Sequence, residues 1–165
     1  MEQLSFFSIE KKIQNAITLL KMFEAKAIEM HPEGYYLCFS GGKDSQVIYE
    51  LAKQAKVKFQ AYYNVTTVDP PELVYFIRKM YPAVIINQPD TTMWELISQK
   101  HYPPTRRMRY CCSELKERGG KGRFVVTGVR WAESMKRRKR GFAEIQGPSE
   151  PKVILNSDND EKEGR

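Results

Sequence analysis

Along this chain, stretches in which apolar residues return every third or fourth position alternate with short runs in which they are nearly continuous, and that alternation predicts the elements. Between residues 4 and 30, Ile9, Ile13, Ile17, Leu20, Phe23 and Ala27 share one helical face. They predict a long amphipathic helix that covers a sheet and is ended by Pro32 and Gly34. The run Tyr35, Tyr36, Leu37, Cys38, Phe39 is short and aromatic-rich, as suits a buried strand, and Cys38 is read as a core residue within it. Val47, Ile48 and Leu51 then return to helical spacing. Residues 57–63 read as a second strand. Pro70, Pro71 and Glu72 open a helix that runs to about Met80, since proline is tolerated and glutamate favoured in a first turn. Residues 84–86 make a brief third strand, and a helix through Trp94, Leu96 and Ile97 follows, with Trp94 read as a core anchor rather than a base-stacking platform. A fourth strand is expected at 123–127 and short strands at 142–145 and 153–155. The repeated strand–helix order predicts an α/β fold with a doubly wound, mainly parallel sheet and helices on both faces.

Composition narrows the setting. With 165 residues, 41% of them hydrophobic, the chain is expected to form one globular domain over 1–165, with an N-terminal helix at 1–30 and a polar tail at 156–165. No apolar stretch approaches a membrane span, and the start lacks the basic-then-apolar layout of a secretory leader, so a cytoplasmic protein without a membrane partner is expected. Three cysteines, two of them adjacent, make no disulfide framework and suit a reducing compartment. The formal charge of +7 calls for a polyanionic partner. Charge alone does not separate a nucleotide from nucleic acid.

The candidate chemistry centres on Ser40, Gly41, Gly42, Lys43, Asp44 and Ser45, where the first strand ends and a helix begins. Paired glycines let the backbone turn sharply and approach a ligand, and the unpaired N–H groups of a helix start favour an anion. Ser40 and Ser45 add hydroxyls and Lys43 a full charge. Asp44 suits either a Mg²⁺ ion or the helix N-terminus. The string is not the P-loop pattern, because its glycines are adjacent and directly precede the lysine. Ligands of open parallel sheets bind beyond the carboxyl ends of strands, which places Asn64, Thr66, Thr67 and Asp69 after the second strand, and Gly128 after the fourth, next to a nucleotide's sugar or base.

A second anion site is expected in the loop from 100 to 109, where Arg106, Arg107 and Arg109 concentrate planar donors, with a solvated basic loop as the alternative. Cys111 and Cys112 follow. Adjacent cysteines bridge only with strain, so the pair is read either as one packed thiol beside one facing the site, or as metal ligands. Beyond the fourth strand come Arg130, Glu133, Ser134 and the basic run 136–140, a solvated face or nucleic-acid patch on composition and an anion site on position.

Three separated stretches resemble one known family. Residues 40–45 are similar to the S-G-G-x-D-S motif of the PP-loop, or adenine nucleotide alpha hydrolase-like, superfamily. The string 109–116 resembles the cysteine-pair helix of its iron–sulfur reductases, and 127–134 with Arg137 resembles the G-x-R-x-x-E-S-x-x-R signature of phosphoadenosine phosphosulfate (PAPS) reductases. The resemblance spans roughly 35–140 and implies a Rossmann-like fold. It further implies an adenine nucleotide ligand: adenosine phosphosulfate (APS), its 3′-phosphorylated form PAPS, or ATP with Mg²⁺. The phosphates would lie on 40–45, and the sulfate end on Arg130, Glu133, Ser134 and Arg137 of the signature; Arg106 and Arg109 are added to that anion site on their chemistry alone. The implied reaction is thiol-dependent reduction to sulfite, with Cys111 and Cys112 as catalytic candidates and a thioredoxin-like electron donor. Its alternatives are ATP-driven adenylyl transfer or sulfur incorporation, or a nucleotide- or DNA-binding component of a DNA sulfur-modification or mobile-element system. Relatives with the cysteine pair add a later C-x-x-C to complete a 4Fe–4S cluster, and reductases carry a nucleophilic cysteine near the C-terminus; neither is in this sequence. Cys111 and Cys112 are therefore partial cluster ligands at most, completed by cysteines outside this chain, as in a homo-oligomer or a longer form. The chain also stops where relatives continue, so it reads as a shortened or a divergent member.

Overall fold

A computed structural model describes residues 2–116, 119–128, 143–146 and 152–156 of the chain, with side chains placed over 9–116 and 119–128. The elements in order are α1 (Glu2–Met30), β1 (Tyr35–Cys38), α2 (Lys43–Ala55), β2 (Phe59–Asn64), α3 (Pro71–Met80), β3 (Ile85–Asn87) and α4 (Met93–Lys100). A π-helical turn (Cys112–Lys116) then leads to β4 (Phe124–Thr127), β5 (Ala143–Gln146) and β6 (Lys152–Asn156). The described strands form one sheet in the order β3-β2-β1-β4-β6-β5, parallel throughout except for the antiparallel β5–β6 pair at its edge. This is a doubly wound α/β fold, as expected.

Strand alternation sorts the sheet into two faces. Tyr35, Leu37, Phe39, Ala61, Tyr63, Phe124 and Val126 point to one side and form the main core with Leu20 and Ala27 of α1, Ile48, Ala52 and Ala55 of α2 and Ile77 of α3. Tyr35 and Phe124 meet edge to face with centroids 5.3 Å apart, and Phe23 of α1 lies 5.6 Å from Phe124. Full burial of one such ring is worth about 1.5–3 kcal/mol. Two contacts lock α1 to the strands: the Tyr35 hydroxyl donates to the Leu20 carbonyl at 2.6 Å, and Glu24 Oε1 accepts the Lys58 N–H at 2.8 Å. Of the α1 face expected from Ile9 onward, Ile9 is exposed, Ile13 is half-buried, and Ile17, Leu20, Phe23 and Ala27 pack into the core.

The opposite face is smaller and more polar. Tyr36 and Tyr62 stack with centroids 4.2 Å apart, and the buried guanidinium of Arg123 lies over both rings at 5.5 and 5.4 Å. Arg123 donates to Gln60 Oε1, the Tyr62 hydroxyl, and the carbonyls of Gly34 and Tyr35. At 7% exposure its charge is held by neutral oxygens and aromatic faces.

The order of the strands decides where a ligand goes. From β1 the chain winds outward through β2 to β3, then returns to lay β4 on the other side of β1. The reversal leaves a crevice beyond the carboxyl ends of β1 and β4, the place where open α/β sheets bind ligands.

Candidate functional site

The crevice holds a hollow of about 440 Å³, lined by Cys38, Phe39, Ser40, Gly42, Asp44, Ser45, Tyr62, Tyr63, Asn64, Thr66, Asp69, Leu73, Lys116 and Gly128. One wall is the β1–α2 connection. Gly42 caps α2 with extended backbone and no side-chain bond, so the first-turn N–H groups of a 13-residue helix open toward the crevice uncapped by any side chain. Buried Ser45 braces the turn: its hydroxyl donates to the Gly42 carbonyl at 2.8 Å and accepts the Ser40 N–H at 3.2 Å, with Ser40 Oγ 3.3 Å away. Gln46 adds a bond from Nε2 to the Gly41 carbonyl at 2.7 Å. Gly41 has φ +74°, and a Cβ there would lie 2.6 Å from Leu73 Cδ1 on α3, so the turn requires glycine.

The second wall follows β2. Asp69 folds back and accepts the Thr66 N–H at 2.6 Å, closing the loop, while Thr67 Oγ1 accepts the Met93 N–H at 2.8 Å and ties the loop to α4. The buried Tyr63 hydroxyl has no hydrogen-bond partner at ordinary bonding distance among the described residues. Burial first, and the nearby Asp69 carboxylate second, push its pKa far above the usual phenol value. Asn64 is already engaged: its Oδ1 accepts from Asn87 Nδ2 at 2.9 Å and from the Tyr36 hydroxyl at 3.3 Å, and its Nδ2 donates to the Lys116 carbonyl at 3.0 Å. Burial raises the Tyr36 pKa to about 12, keeping that hydroxyl a donor. Gly128, at the end of β4, forms the third wall against α2, where a Cβ would sit 3.2 Å from both the Asp44 carbonyl carbon and Ile48 Cδ1.

Of the residues expected at the site, Ser40, Gly42, Asp44, Ser45, Asn64, Thr66, Asp69 and Gly128 line this one hollow, with Gly41 beneath the turn and Lys43 exposed beside it. Arg106, Arg109, Cys111 and Cys112 do not line it. Arg109 Nη2 instead donates to Cys112 Sγ at 3.4 Å, and burial, then Cys112, raises the Cys111 pKa. Arg130, Glu133, Ser134, Arg137 and the run 136–140 lie outside the described residues. Cys38, expected in the core, is half-buried: β1 turns its odd-numbered residues to the main core, and Cys38 packs with Tyr36, Tyr62 and Val125 on the opposite face while also reaching the hollow. Tyr62, Tyr63, Leu73 and Lys116 join the lining without a motif to announce them. Trp94, expected as a core anchor, is 70% exposed, since α4 turns Leu96 inward and Trp94 lies two positions away on the other side. A second hollow, of about 530 Å³, lies between the ends of β2 and β3, α4 and the π-turn, sharing Asn64 with the first.

A four-iron cluster does not fit these cysteines: four thiolates are needed, the chain has three, and Cys38 lies apart in the hollow while Cys111 and Cys112 stand outside it. Mg²⁺ fits better, since Asp44 and Asp69 share the hollow with a phosphate-type turn, and Mg²⁺ commonly takes one or two carboxylates plus substrate phosphates.

The model of the phosphoadenosine phosphosulfate reductase domain matches residues 34–156. The chain belongs to that family. With it the chain joins the PP-loop, or adenine nucleotide alpha hydrolase-like, superfamily, whose PAPS reductase branch acts on adenine nucleotides. Among curated proteins, none matches the chain. The matched span opens at Gly34 just before β1 and closes with β6, so the family unit is the sheet and its helices, while α1 precedes it. No described helix is long and apolar enough to cross a membrane.

Proposed function

We propose that the hollow binds an adenylylated sulfate, APS or PAPS, for thiol-dependent reduction to sulfite. One observation carries the reading: in a member of this family, the β1–α2 turn, the β2 loop and Gly128 converge on a single hollow at the reversal of strand order. The N–H groups at the start of α2, with the Ser40 hydroxyl, take the nucleotide's phosphate. Thr66, Asp69 and the rim of Tyr62 take the sugar and base. In the reaction a thiolate attacks the sulfonyl sulfur, an S–S bond forms, and the S–O bond to phosphate breaks with release of the nucleotide; a second thiol then frees sulfite and leaves a disulfide. Cys111 and Cys112 stand outside the lining and Cys38 within it, so the attacking thiol is either Cys38 or a thiol of a thioredoxin-type donor, which in both cases supplies the second thiol.

A second reading rests on the two carboxylates: Asp44 and Asp69 beside the turn suit Mg²⁺-ATP and cleavage between its α and β phosphates. Calorimetric titration of the purified protein with APS, PAPS and ATP, the last with and without Mg²⁺, separates the two. Tightest binding to APS or PAPS supports reduction, and Mg²⁺-dependent ATP binding with pyrophosphate release supports adenylyl transfer. Failure to bind any of the three overturns both.

A further inference from the structure

We infer that the outer side of α4 and the loop 101–109 form a docking surface for single-stranded nucleic acid, separate from the nucleotide hollow. Between residues 96 and 113 the chain has no Asp or Glu but carries Lys100, Arg106, Arg107 and Arg109. Arg106 and Arg107 are exposed, line neither hollow, and make no hydrogen bond or ion pair among the described residues. Their presentation is built. The Thr105 N–H donates to the Met108 carbonyl at 3.1 Å and the Met108 N–H to Thr105 Oγ1 at 3.0 Å, closing a turn that holds both arginines at its tip. At its base the Tyr110 hydroxyl donates to the Tyr102 carbonyl at 2.7 Å, and the two rings meet edge on at 5.7 Å.

Exposed aromatics flank this loop in the sequence. Trp94 projects from α4 at 70% exposure, seven residues and about two helical turns before His101, and therefore on the same side as the start of the loop. Tyr102 is exposed next to it in sequence. Planar guanidiniums grip phosphates in pairs, and exposed aromatic faces stack unpaired bases, a combination that suits a single strand better than a duplex, whose bases are already stacked. A membrane surface would call for an apolar stripe, yet the exposed positions beside Trp94 on α4 are Glu95, Ser98 and Gln99. An acidic protein would also use the arginines, and the polyglutamate arm of the test separates it from a nucleic acid.

The test is fluorescence anisotropy of the full chain with labelled 12-nucleotide oligothymidylate and oligouridylate across a salt series. Binding is expected to weaken steeply with salt, and R106E/R107E to flatten the log–log slope by about 1.4. Trp94→Ala should weaken binding roughly tenfold. Titrations of both variants with APS, PAPS and ATP should match the parent protein, which separates failure of this surface from failure of the hollow. Three results would overturn the inference: no oligonucleotide binding at low salt; binding unchanged by both variants, as when the run 136–140 carries it; or tighter binding to polyglutamate or to anionic phosphatidylglycerol vesicles than to either oligonucleotide.

Discussion

Ser45→Ala tests the proposed phosphate turn most directly. The parent hydroxyl is 4% exposed and joins both sides of the turn, donating to the Gly42 carbonyl at 2.8 Å and accepting the Ser40 N–H at 3.2 Å, with Ser40 Oγ at 3.3 Å. Each neutral bond is worth about 1 kcal/mol net, and a group left unpaired costs about 1–3 kcal/mol. Two effects reduce the loss. Ser40 and Gly42 are exposed, so water can replace part of what they lose, and alanine is the better helix former by about 0.5 kcal/mol. The net cost should be about 1–2 kcal/mol, or about 3–6 °C in melting temperature at this chain length. Binding should suffer as well, because a turn no longer braced must be ordered by the ligand; about tenfold weaker nucleotide affinity corresponds to about 1.4 kcal/mol. Urea unfolding measures the first quantity and calorimetric titration with APS, PAPS and ATP the second. Ser40→Ala, at the exposed end of the same network, should cost less stability. A Ser45→Ala protein with the parent's urea midpoint and the parent's affinities would refute the bracing role.

Three further outcomes are expected. Gly41→Ala forces a Cβ into left-handed backbone and against Leu73; it should lose about 1–2 kcal/mol from the backbone alone in urea unfolding and weaken nucleotide binding. Arg123→Met should cost about 1–3 kcal/mol in the same assay, because the Tyr36–Tyr62 stack loses its cation and the Gly34 and Tyr35 carbonyls lose a donor; an unchanged midpoint would show that the buried charge contributes nothing net. Glu95 has a lowered pKa because the Thr92 N–H and hydroxyl bond its carboxylate, so the folded state holds its proton less tightly than the unfolded chain. Its stabilising effect is therefore present above the ordinary carboxylate range and lost as pH falls through the lowered value: Glu95→Gln should melt below the parent at pH 6, and the gap should close in acid.

The parts of the fold that could be read in advance are those with a local cause. The turn 40–45 was legible because adjacent glycines between an apolar run and a helical pattern have few other uses, and the residues after β2 and β4 because strand ends in a parallel sheet point to one edge. Sequence offered no equivalent handle on Lys116, whose segment is drawn to the hollow by the Asn64–Lys116 bond across 52 positions. Arg123 read as the first residue of a strand, while its burial depends on two tyrosines and two carbonyls contributed by β1, β2 and the turn before them. Trp94 goes against expectation because periodicity reports that a face is buried, and a residue two positions off that face goes elsewhere. Arg106 and Arg109 were assigned by chemistry alone, which says what a guanidinium grips but not toward which opening it is aimed.

Asn64 has a consequence for anyone who would reshape this protein. One carboxamide lines two neighbouring chambers, pinned by β1, β3 and the π-turn at once. Shortening that side chain would change the lining of both chambers at once, so the two cannot be retuned there as independent rooms.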